Sequence, residues 1–90
     1  MHTFIFTKKA HKEFTKLSEG IRERVVAKLK ELKTHEGIFT VLKTLHHFEP
    51  ATHRLRVGSH RLILELKSQE KEGCVFWVLD VGDRKEIYKA

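Results

Sequence analysis

His53–Tyr88 reads HRLRVGSHRLILELKSQEKEGCVFWVLDVGDRKEIY, and this stretch decides the fold. Gly58-Ser59 lies between two runs of alternating character, the pattern of a two-residue hairpin with glycine first in the turn. With Val57 and His60 flanking the turn, Arg56 faces Arg61, Leu55 faces Leu62 and Arg54 faces Ile63. Period two collects Leu55, Leu62, Leu64 and Leu66 on one face and Arg54, Arg56 and Arg61 on the other. Two arginines directly opposite each other repel and weaken a hairpin. A phosphate held between the guanidinium groups would relieve that repulsion.

Outward from the hairpin, Ser68–Gly73 is a polar turn and Cys74–Val81 is apolar on both faces, as expected of a central strand covered on each side, with one side covered either fully or only in part. Gly82-Asp83-Arg84-Lys85 is expected to turn the chain into a last short strand, Glu86–Tyr88. Toward the N-terminus, Thr3–Phe6 reads as a strand, and Thr7 can cap a helix over Lys8–Leu17 with Ala10, Phe14 and Leu17 on one side. A second, longer helix starts near Glu19 with the stripe Ile21, Val25, Leu29 and Leu32, and Gly37 suits its left-handed C-cap. Ile38–Thr52 is expected to be irregular, because Pro50 disfavours helix at Glu49. The order predicts an α+β domain over residues 1–90, β-α-α-β-β-β, with two N-terminal helices packed on an antiparallel sheet of about four strands.

Composition bounds the function. Ninety residues make one domain with a modest core. No apolar stretch approaches the roughly 20 residues that cross a bilayer. MHTFIFTKK lacks the features of a signal peptide, and Cys74 alone cannot form an internal disulfide, so a cytoplasmic protein is expected. A net charge of +6 favours an anionic partner: nucleic acid, anionic lipid or an acidic protein.

Arg54, Arg56 and Arg61 project from one face of the hairpin and Arg84 leaves the end of the central strand. Together they would make a basic site suited to phosphate, because the planar guanidinium donates two parallel hydrogen bonds and keeps its charge. A solvated polar sheet face is the plainer alternative, but only Glu65 among the acids shares the arginines' parity. The seven histidines come with no cysteine pair and no HExxH spacing, so no metal site is expected. His60, at the mouth of the hairpin, is a turn residue or a candidate proton carrier. Tyr88 can stack on a base or cover the sheet edge, and Trp77 reads as core.

HRLRVGSHRLILEL followed by VFWVLDVGDRKEIYK resembles the RelE/ParE superfamily of toxins, with their YRLRVGxYRxIYEV-like hairpin and VLxVGxRxxxY-like ending. Val41-Leu42-Lys43-Thr44-Leu45 is similar to the lysine-and-leucine segment that precedes that hairpin. The resemblance spans the chain and is specific in its last 40 or so residues. It implies a RelE-like toxin of a type II toxin–antitoxin system, held inactive by a cognate antitoxin and acting on mRNA in the ribosomal A site. RelE-like members cleave by attack of the substrate's own ribose 2′-hydroxyl, which needs no metal or cofactor. The resemblance assigns Arg56, Arg61, Arg84 and Tyr88 to catalysis, and Arg54, Lys43, His60 and Lys85 to RNA binding. Arg56 stands where the family often has a lysine assigned as general base, and arginine, which barely deprotonates, is expected to supply charge there. His60 replaces the usual tyrosine, and Asp83 stands where a basic residue is common. The alternatives within this likeness are a ParE-like gyrase inhibitor without nuclease activity and a detoxified antitoxin-binding regulator. A monomeric free toxin and a higher-order complex with antitoxin are expected.

Overall fold

A computed structural model describes residues 1–83. The elements are β1 (Thr3–Phe6), α1 (Lys8–Thr15), α2 (Glu19–Lys33), α3 (Ile38–Val41), β2 (Lys43–Thr44), β3 (His53–Val57), β4 (His60–Glu70) and β5 (Gly73–Asp83). They form an α+β fold whose five-stranded sheet has the order β1-β5-β4-β3-β2. The expected β-α-α-β-β-β framework is present, with three refinements.

First, β1 runs parallel to β5, with Phe4 beside Phe76 and Phe6 beside Val78, so the sheet is mixed. The crossover formed by the helices and the antiparallel strands lets an N-terminal strand return beside the last described strand. Second, the connection Ile38–Thr52 contains the one-turn helix α3 and the two-residue edge strand β2. Third, β4 and β5 reach Glu70 and Asp83, so the polar turn shortens and Gly82-Asp83 is strand. The expected strand Glu86–Tyr88 lies outside the described residues. Among those residues, no helix is long and apolar enough to cross a membrane.

The helices form where their signals sit. Thr7 is extended and its hydroxyl accepts from Ala10 N at 3.1 Å, an N-cap that contributes about 1 kcal/mol. Val25, Leu29 and Leu32 of α2 are buried, with Ile21 packed beside them. They meet Leu55, Leu62, Leu64, Phe76 and Val78, so both helices cover one face of the sheet. Gly37 is not the left-handed cap of α2. That helix stops at Lys33 with Thr34 at φ −110°, and Gly37, at φ −94°, precedes α3. The ring of His2 ties three parts together: Nδ1 accepts from Cys74 N at 3.1 Å, and Nε2 donates to His35 O at 2.8 Å.

His53 sits on the helix side at 8 % exposure, 5.4 Å from the ring of Phe39 and 5.9 Å from that of Phe76. Burial lowers its pKa from the ordinary 6.5. The unfolded chain therefore takes up a proton at His53 as pH falls through 6.5, while the folded chain resists it. Stability should drop from that pH downward. His53→Phe should narrow the difference in urea midpoint between about pH 7.5 and about pH 5.5. An unchanged difference would remove His53 as its source.

Candidate nucleic-acid interface

The hairpin has the expected register: Arg56 opposite Arg61, Leu55 opposite Leu62, Arg54 opposite Ile63 and Val57 opposite His60. Gly58 takes φ +61°, a conformation that favours glycine, and this allows the two-residue turn. β2 then adds a residue to the arginine row, because Lys43 is paired with Arg54. Directly opposed residues share a face with Cβ atoms about 5 Å apart. Lys43, Arg54, Arg56 and Arg61 thus occupy the face turned away from α1 and α2.

The four cations are not equivalent. Lys43 and Arg56 are exposed, Arg54 is half-buried, and Arg61 is only 4 % exposed. Arg56 is steered by its own turn, with Nε donating to Gly58 O at 3.2 Å. Arg61 lies on an interior strand between Arg56 and Gly82. A guanidinium so sheltered from water interacts more strongly with a bound phosphate than an exposed one. Glu65, the acid of matching parity, is engaged by Lys67 at 3.2 Å.

His60 does not join this row. It follows Ser59 at the tip and alternates with Arg61, so its register position belongs to the helix side, opposite Val57 and Asp83. Arg84, Lys85 and Tyr88 lie outside the described residues, and so does the expected convergence of Arg84 on the hairpin. Trp77 corrects the expectation of a core residue. It is 39 % exposed on the open face, with Lys67 Nζ 4.4 Å from its ring centre. The helices cover only the other face, so an apolar run along β5 does not imply two covered sides.

Sequence reasoning also passed over Arg24. It is exposed on α2, and a Cβ on Gly58 would stand 3.4 Å from its Nη1, so α2 brings another guanidinium to the hairpin tip. Only the packing of α2 across the hairpin distinguishes it from the other basic residues of that helix. Among the described residues, no three His, Cys, Asp or Glu side chains are grouped to hold a metal ion. Chemically, the row can hold a phosphodiester and stabilise added negative charge on it.

No protein-family model and no curated protein matches the chain. Solved structures do. The intact RelBE toxin–antitoxin complex of E. coli contains a chain of 25 % identity, with a TM-score of 0.65 over 92 % of this chain and 96 % of that one. The isolated E. coli RelE toxin has 27 % identity and a TM-score of 0.62 over 98 % and 92 %. The RelB–RelE complex of Methanococcus jannaschii, at 23 % identity and a TM-score of 0.65 over 93 % and 94 %, shares the fold.

Proposed function

Because the chain belongs by fold to the RelE-like toxin superfamily, we propose that it is the toxin of a type II toxin–antitoxin system and a ribosome-dependent mRNA endoribonuclease. One observation carries this reading: the register places Arg56 opposite Arg61, with Lys43 and Arg54 beside them on the open face. Such a row follows a nucleic-acid backbone rather than a single small anion, and phosphate contacts of this kind supply affinity and position.

In the proposed reaction, mRNA lies across this face in the ribosomal A site. The ribose 2′-oxygen passes its proton to water and attacks the adjacent phosphorus, forming the new bond of a 2′,3′-cyclic phosphate. The bond to the 5′-oxygen breaks, and that oxygen takes up a proton as it leaves. Arg61 and Arg56 stabilise the charge on the pentacoordinate phosphate, and Arg84 adds to it. Tyr88 orients the base. Arg54, Lys43 and Lys85 hold flanking phosphates, while His60 reaches the RNA only from the tip. Catalysis then rests on orientation and fixed positive charge, with no metal or cofactor required.

The partner is a cognate antitoxin. The related chains of E. coli and M. jannaschii were solved with theirs, and a net charge of +6 suits an acidic polypeptide covering the basic face.

Primer extension on translated mRNA after induction tests the proposal. Cuts within codons, dependent on ribosomes and suppressed by co-expressed antitoxin, are the expected result. Growth arrest without cuts, accompanied by loss of gyrase supercoiling, would replace it with a ParE-like reading. Absence of any growth effect would favour a regulatory binder.

A further inference from the structure

The segment that leads into β3 crosses the open face of the sheet. Thr52 N donates to Leu64 O at 2.8 Å, which holds the crossing against β4, and Ala51 N donates to Phe48 O at 2.9 Å within the segment itself. Beneath it lies a pocket of about 240 Å³ lined by Phe48, Glu49, Pro50, Ile63, Leu79 and Asp80. It adjoins the basic row directly, because Ile63 has Arg54 opposite it on one side and Asp80 on the other. Leu79 is the additional residue where the β4–β5 register shifts, and such a bulge re-aims a side chain.

The composition of the pocket separates it from the phosphate-binding row. Ile63, Leu79 and Pro50 are apolar and Phe48 supplies an aromatic ring, so the space suits a flat, weakly polar group. Two carboxylates stand at the rim. Asp80 is paired with Lys9. Glu49 makes no ion pair among the described residues and is left to accept hydrogen bonds from whatever enters. A planar group with amino edges, tethered to a phosphate, has the chemistry of a nucleotide base.

Building on the ribonuclease reading, we infer that this pocket receives one base of the RNA whose backbone lies on Arg54, Arg56 and Arg61, and that Glu49 favours bases carrying an exocyclic amino group over uracil. A carboxylate accepts from an amino group such as cytosine N4 and is repelled by the carbonyl oxygen that uracil presents in its place. Phe48 contributes stacking, which is tolerant of base identity. Affinity and preference thus come from different side chains.

The test uses the full chain with labelled methyl groups, titrated with cytidine 3′-monophosphate, uridine 3′-monophosphate and ribose 5-phosphate. Both nucleotides should shift the Ile63 and Leu79 methyl resonances, cytidine at lower concentration, whereas the abasic sugar phosphate should leave them in place. Phe48 is 51 % exposed, so Phe48→Ala spares the core and should weaken nucleotide binding by roughly ten-fold. Glu49→Gln should bring the two nucleotides to near-equal affinity. Nucleotides that leave both methyls unmoved overturn the inference, as does an unchanged base preference in Glu49→Gln. If the wild type cuts mRNA but both variants cut at the same rate and the same bases, the pocket assignment fails while the ribonuclease reading stands. If the wild type cuts nothing yet the nucleotides titrate as described, the pocket remains and the ribonuclease reading falls.

Discussion

Arg61→Ala should abolish growth arrest and reduce mRNA cleavage by about 10²- to 10³-fold, the loss typical of removing one preorganised donor to a developing oxyanion. The expectation follows from its setting. Of the cations that the described residues place on the open face, Arg61 alone is nearly removed from water, at 4 % exposure, and it faces the exposed Arg56 across the hairpin. Sheltering a guanidinium is costly, and placing it opposite a like charge adds to the cost. A phosphate held between the two opposed guanidinium groups relieves that repulsion. Arg61→Lys keeps the charge but loses the planar fork, so it should fall between wild type and alanine. Arg54→Gln, with a half-buried partner of the flanking phosphates, should weaken binding more than the chemical step. Removing a buried charge need not destabilise the fold, and a thermal melt within a few degrees of wild type is expected for Arg61→Ala. A folded Arg61→Ala that still arrests growth and cuts mRNA would show that the catalytic row was assigned wrongly.

This site was legible in the sequence wherever local pattern alone determines geometry. Gly58 sets the turn, the turn sets the register, and the register pairs Arg56 with Arg61. The stripe Val25, Leu29 and Leu32 likewise marks the buried side of α2, whichever strands it meets. Features that depend on distant contacts were not legible. Thr3–Phe6 has the residues of a strand, but nothing within it says that it lies parallel to β5, about seventy residues further along. Trp77 misled because apolar residues along a central strand do not reveal which face the helices cover. Lys43 was already assigned to RNA binding by the resemblance, but its place beside Arg54 comes from the two-residue strand β2, too short to stand out from a connection. Phe48 and Glu49 reached the open face through the path of a loop, which no periodicity records.

Phe76→Ala should be the most damaging core substitution and Trp77→Ala a far milder one, although the two residues are neighbours in β5. Phe76 is 0 % exposed, stacked on Phe4 of β1 at 5.5 Å and edge-on to His53 of β3 at 5.9 Å. One ring thus joins both sides of the sheet to the helix layer. Its loss leaves a cavity bounded by elements that cannot all close in together, at a cost of about 3–5 kcal/mol. A small domain has about 5 kcal/mol or little more to lose, so the melting temperature should fall by roughly 20 °C or the chain should be largely unfolded at growth temperature. Trp77 is 39 % exposed on the other face, and truncating it removes contacts to one side only. Toxicity should disappear in Phe76→Ala through loss of folded protein and be restored by whatever restores stability, unlike the loss in Arg61→Ala. The pH dependence offers a second check. A milder Phe76→Leu should give His53 more access to water, move its pKa back toward 6.5 and shrink the acid-side loss of stability. Equal costs at positions 76 and 77 would mean that the covered and open faces of the sheet had been exchanged, and the basic row would then point into the core.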